Sequence, residues 1–99
     1  MDLTQENKKI AEHYGYDAQS NQLIEECAEL IQAVNKYRRA NDKATAESAY
    51  YNLLEEIVDV EIMLEQIKHL LIIPEDDIQC MKLYKINRTK ERMAGSKGE

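Results

Sequence analysis

Two segments of this chain repeat one pattern of apolar and acidic residues, and their spacing limits what the chain can fold into. Leu23-Ile24-Glu25-Glu26-Cys27-Ala28-Glu29 returns thirty positions later as Leu53-Leu54-Glu55-Glu56-Ile57-Val58-Asp59. Residues three apart share a face of a helix, so Glu26 with Glu29 and Glu56 with Asp59 each form a local pair. Each pair stands beside an apolar seam, Leu23, Cys27 and Leu30 in the first segment and Leu53, Ile57 and Val60 in the second. A carboxylate that close to a core is costly unless it is paired. Basic partners at helical spacing are missing: neither Glu29 nor Asp59 has a Lys or Arg four positions away. A divalent cation shared by the two pairs resolves both problems.

The midpoint between the copies falls at Asn41-Asp42-Lys43-Ala44, the loop-like stretch between them. Folding back about that turn as an antiparallel helical hairpin brings both acidic pairs to one height, roughly 20 Å from the turn at the helical rise per residue. Four carboxylates then face one another across a helix pair, as in the metal sites of helical bundles. Ligation by oxygen alone points to Mg²⁺, with Mn²⁺ as a substitute, rather than zinc. A di-iron carboxylate centre is disfavoured because no ExxH pair supplies histidine.

Composition agrees with an all-α fold. One Pro and three Gly in 99 residues leave few places to turn, so long helices are expected. A chain of this length makes one small domain with a modest core. Its net charge of −6 argues against nucleic acid as a partner through a general electrostatic footprint. Cys27 and Cys80 form no CxxC or zinc-like spacing, and no signal peptide or bilayer-length apolar run is seen, so a cytoplasmic protein without a membrane partner is expected.

Read in order, the spacing predicts about four helices. The first runs from Thr4, its N-cap, to Tyr14, stops at Gly15, and lies as a lid over the larger pair through Ile10, Ala11 and Tyr14. The second starts near Asp17 or Ser20 and reaches Arg39, with Leu23, Cys27, Leu30, Val34 and Tyr37 as its seam. The third starts near Thr45 or Ala46 and reaches Leu71. It carries one stripe of Leu53, Ile57, Val60, Leu64, Ile67 and Leu71 and a second of Leu54, Val58 and Ile62. Two apolar faces on one helix need covering on two sides. The chain has too few other helices for that, so the hairpin core is expected to be completed by self-association, as a homodimer or homotetramer. Pro74 opens a fourth helix that continues to about Met93 and turns basic at Lys82, Lys85, Arg88, Lys90 and Arg92. The domain thus spans residues 1–93, and residues 94–99 are expected to form a disordered tail.

The paired motif resembles the signature of the MazG-like all-α nucleoside triphosphate pyrophosphohydrolases, EExxE followed after a spacer by ExxD. Glu25-Glu26-x-x-Glu29 and Glu56-x-x-Asp59 match it, and Gln19 and the run Lys85-Ile86-Asn87-Arg88 resemble compact members. The likeness covers roughly Gln19 to Arg92. One departure is Met63, where some deoxynucleotide-specific relatives carry an aromatic residue, and no tryptophan is present to stack on a base.

The resemblance implies an enzyme that hydrolyses a nucleoside triphosphate between its α and β phosphates, releasing a monophosphate and pyrophosphate with Mg²⁺. It carries Glu26, Glu29, Glu56 and Asp59 over as metal ligands and Glu25 as a further acid near the attacking water. Lys85 and Arg88, with Arg92, carry over as phosphate contacts. Two other readings stand beside it: a phosphoribosyl-ATP pyrophosphatase of the same superfamily, and a non-catalytic helical module whose acids are only a binding surface.

Overall fold

The computed structural model describes residues 1–97, and every regular element among them is helical. Helix α1 spans Leu3–Arg39, α2 Lys43–Leu70 and α3 Glu75–Lys97. Three elements therefore stand where about four were expected. The difference lies at Gly15, whose φ of 84° and ψ of 171° are non-helical. A side chain there would be strained, so glycine lets α1 bend into a short arm before it and a long arm after it.

The helix starts have local causes. Asp2, not Thr4, caps α1, its Oδ1 accepting from the Gln5 amide at 3.2 Å. Asp42 caps α2, which starts at Lys43, two residues before Thr45: Asp42 accepts from the Thr45 amide at 2.8 Å while the Thr45 hydroxyl takes the Asp42 amide. That bond, first through the backbone and then the hydroxyl of Thr45, holds the Asp42 carboxyl below its ordinary range. At the other end of α2, Ile73 N–H reaches the Lys68 carbonyl and Ile72 N–H that of His69, with Ile72 at a φ of 53°. This is a Schellman closure in which isoleucine occupies the position that glycine usually takes. Pro74 then accepts from Asp77 and Ile78 to start α3. The helix continues through Ala94 to Lys97, past the expected end at Met93. Gly98 and Glu99, the last of the expected tail, lie outside the described residues.

The long arm of α1 runs antiparallel along α2, and the short arm folds over the last turns of α2, with Asn7 at Ile62 and Glu65 and Glu12 at His69. Ala11, as expected of the lid, is fully buried, but Ile10 and Tyr14 are exposed. Ala33, Val60 and Met63 complete the buried apolar set among the described residues. The seam on α2 keeps half of the expected one, with Val60 buried and Leu53 and Ile67 half-buried, and is turned towards Met63 and Gln66. Val60, Met63 and Gln66 are buried, whereas Ile57, Leu64 and Leu71 are 41%, 46% and 51% exposed. On α1, Val34 and Tyr37 are also exposed, and Ala33 takes the inner position. The physical reason is that the hairpin face follows the acidic pairs, so the apolar residues expected to flank it rotate towards solvent.

Helix α3 packs along neither α1 nor α2. It leaves the hairpin and raises the radius of gyration to 17.5 Å, against about 13 Å for a compact chain of this size. Its side chains up to Gly95 are exposed except for the half-buried Ile78. No helix among the described residues is long and apolar enough to cross a membrane.

Candidate metal centre

The hairpin brings the two acidic pairs together. One carboxylate oxygen each from Glu26, Glu29 and Glu56 lies within 4.8 Å of the others. Asp59 is paired with Glu26, whose charge acts on it, as that of Glu29 acts on Glu56. Gln19–Gln66, Glu26–Asp59 and Glu29–Glu56 all fall on one antiparallel register about the Ala40–Asp42 turn. Glu26, Glu56 and Asp59 are half-buried along the hairpin face, with Glu56 and Asp59 in line with Val60 and Met63, while Glu29 is exposed at its edge.

Their surroundings are poor in compensation. Gln22 Nε2 donates to Glu26 Oε1 at 2.8 Å, but Glu26 Oε2 and Glu56 Oε2 are buried and accept no hydrogen bond. Such oxygens are costly in a folded chain. Burial, followed by the charge of Glu29 and a hydrogen bond with it, pushes the Glu56 carboxyl above its ordinary value, with Asp59 and Glu26 adding to the effect. Burial and then the charge of Glu26 push Asp59 up in turn. Among the described residues, no lysine or arginine forms an ion pair with any of the four. Oxygen-rich, negatively charged and unpaired, the cluster has the donor chemistry that hard divalent cations use.

The other sequence-selected residues lie elsewhere. Glu25 is exposed, and its carboxylate is not among those that converge. Lys85, Arg88 and Arg92 are exposed on α3, which does not return to the hairpin within the protomer. Arg88 lies over the Tyr84 ring, 5.6 Å from its centroid.

Two turns from the acids lies a set of buried amides that the apolar pattern did not reveal. Gln19 Nε2 donates to Gln66 Oε1 at 2.6 Å, and Gln66 Nε2 donates to Asn7 Oδ1 at 2.7 Å. Asn7 Nδ2 in turn donates to the Ile62 carbonyl at 3.1 Å and to Glu65 Oε1 at 3.0 Å. All three amides are at least nine-tenths buried. This chain of bonds ties the short arm of α1 to both long helices and fixes the register that sets the carboxylates opposite one another. Its signal in the sequence is symmetry: Gln19 lies seven residues before Glu26, and Gln66 seven residues after Asp59.

Compared with protein-family models, with curated proteins and with solved structures, the chain matches none.

Proposed function

We propose that this chain is a Mg²⁺-dependent nucleotide pyrophosphohydrolase, with Mn²⁺ able to substitute. In this reading it cleaves a nucleoside triphosphate between the α and β phosphates to a monophosphate and pyrophosphate. The observation that carries the reading is the pair of buried, unpartnered oxygens on Glu26 and Glu56 within the converging carboxylates of Glu26, Glu29 and Glu56. The order of those acids, EExxE and then ExxD, supports it through the resemblance to the MazG-like enzymes.

Glu26, Glu29, Glu56 and Asp59 are the residues that would hold the cation. When bound, it would neutralise polyphosphate charge and lower the pKa of the attacking water. Phosphoanhydride hydrolysis asks the protein mainly for charge stabilisation and placement. Glu25, exposed beside the cluster, is free to accept the proton that water loses. Lys85, Arg88 and Arg92 supply donors for phosphate oxygens, with the guanidinium of Arg88 braced on Tyr84. Self-association, as homodimer or homotetramer, follows from a thin core and from the outer stripe of Leu54, Val58 and Ile62, each more than 40% exposed.

The test is product identification by ion exchange after incubation with Mg²⁺ and a panel of nucleoside triphosphates together with phosphoribosyl-ATP. Monophosphate and pyrophosphate from the triphosphates are expected. Turnover of phosphoribosyl-ATP alone would move the assignment to that substrate. Diphosphate and inorganic phosphate, or no turnover of any compound, would contradict the proposal.

A further inference from the structure

We propose that α3 is an exchanged arm that docks on a second copy of this chain and delivers its basic face to that copy's acidic cluster. The proposal rests on the reading of the cluster given above and adds that each site is completed in trans.

Helix α3 has nothing to lie on within its own protomer. Glu75–Lys97 packs along neither α1 nor α2 and is exposed along nearly its whole length. Helices in proteins draw most of their stability from packing an amphipathic face, and an unsupported one is marginal in water. This one has such a face. Met81 stands four residues before Lys85 and three before Tyr84, Tyr84 four before Arg88, and Arg88 four before Arg92, so the stripe is apolar at its start and basic beyond it. Met81 and Tyr84 are 56% and 61% exposed. The Arg88–Tyr84 contact links the two halves of the stripe.

Charge complementarity identifies the occupant. Six of the thirteen basic residues lie after Cys80, against two acids, Glu91 and Glu99, while the remaining seventeen acids precede it. A basic arm and an acidic body on one chain attract most strongly between copies when the arm is directed away from its own body. The body also offers apolar surface for the first half of the stripe, at Leu54, Val58 and Ile62. Reciprocal docking of two arms gives a closed, two-fold exchange of the domain-swapped kind. It would set Lys85, Arg88 and Arg92 against carboxylates that they do not meet within one protomer.

The experiment uses the full chain in two isotopic forms, ¹⁴N and ¹⁵N, unfolded together, refolded and treated with a carbodiimide that joins a lysine amine directly to a carboxylate. Links from Lys85 to acidic residues of α1 or α2 should carry mixed labels, and Lys85→Arg should remove them. Lys85 links found only within chains of one label, or a wild-type chain that sediments as a monomer, would overturn the exchange. A second arm reads activity. Glu29→Gln and Arg88→Ala, each nearly inactive alone, should recover about a quarter of wild-type turnover when refolded in equal mixture, because half the dimers then hold one intact site. Absence of recovery beside an active wild type would overturn completion in trans. An inactive wild type would instead count against the enzymatic reading, leaving the cross-linking to decide the docking.

Discussion

Glu26 and Glu56, thirty residues apart in sequence, meet across the α1–α2 hairpin with carboxylate oxygens within 4.8 Å, and each buries an oxygen that accepts no hydrogen bond. Charged groups are not gathered this way for stability, because both desolvation and mutual repulsion oppose it. Two things can offset the cost: protons taken up by the acids, as the raised Glu56 and Asp59 carboxyls indicate, or the cation proposed above.

Removing one ligand charge at constant shape tests the role of each acid. Glu29→Gln or Asp59→Asn should lower Mg²⁺-dependent pyrophosphate release by on the order of a hundredfold or more. The helical circular-dichroism signal should stay unchanged. Wild-type turnover in either variant would remove that carboxylate from the site.

The pH dependence of the metal-free protein follows from the raised carboxyls. Glu56 and Asp59 hold their protons in the folded chain above their ordinary values of 4.5 and 3.8. As pH rises from that range, the unfolded chain ionises first, so stability falls until the folded groups have ionised too. Urea unfolding without metal should therefore show the wild type losing ground to a Glu56→Gln/Asp59→Asn variant between pH 4.5 and neutrality. A gap between the two that does not change with pH would contradict this.

Much of this arrangement is legible in the sequence, and the parts that are not share one cause. Glu26, Glu29, Glu56 and Asp59 announce the hairpin because their spacing and their midpoint turn are local facts. The rotation of the seam is not local. Ile57, Leu64 and Leu71 repeat at helical steps as well as Val60 and Met63 do, and only the docked partner helix decides which set is inside. Likewise a Gln looks like a surface residue until its mate is known. Gln19 and Gln66 pay for burial only jointly. The course of α3 is hidden for a related reason, since its stripe carries no mark of what it packs on.

The amide relay should be worth measuring because its members fail together. Gln66 is 2% exposed, and replacing it with Leu strands the Gln19 amide and the Asn7 carbonyl. The expected loss is about 1–3 kcal/mol in urea unfolding. Adding Gln19→Leu to that variant should cost much less than Gln19→Leu alone, since the bond is already gone. Strict additivity would mean that the two side chains act separately.

Assembly is tested on the outer stripe of α2. Val58 is 44% exposed in the protomer, so Val58→Lys leaves the hairpin itself intact. In an oligomer that covers this stripe, the same lysine places an unpaired charge in an apolar contact. Sedimentation should show dissociation with the helical signal retained, and an unchanged oligomer would exclude this stripe from the interface.

Thermal unfolding with Mg²⁺, compared with NaCl at matched ionic strength, asks whether the four carboxylates form a cation site at all. A cation that binds only the folded hairpin adds about 2.7 kcal/mol when free metal is a hundredfold above its Kd. In a domain of this size that raises Tm by on the order of ten degrees. Mg²⁺ should give this rise in the wild type and NaCl should not, while Glu26→Gln/Glu56→Gln should lose the metal-specific part and be no less stable without metal. Equal shifts from Mg²⁺ and NaCl in the wild type would show that the converging acids hold no cation.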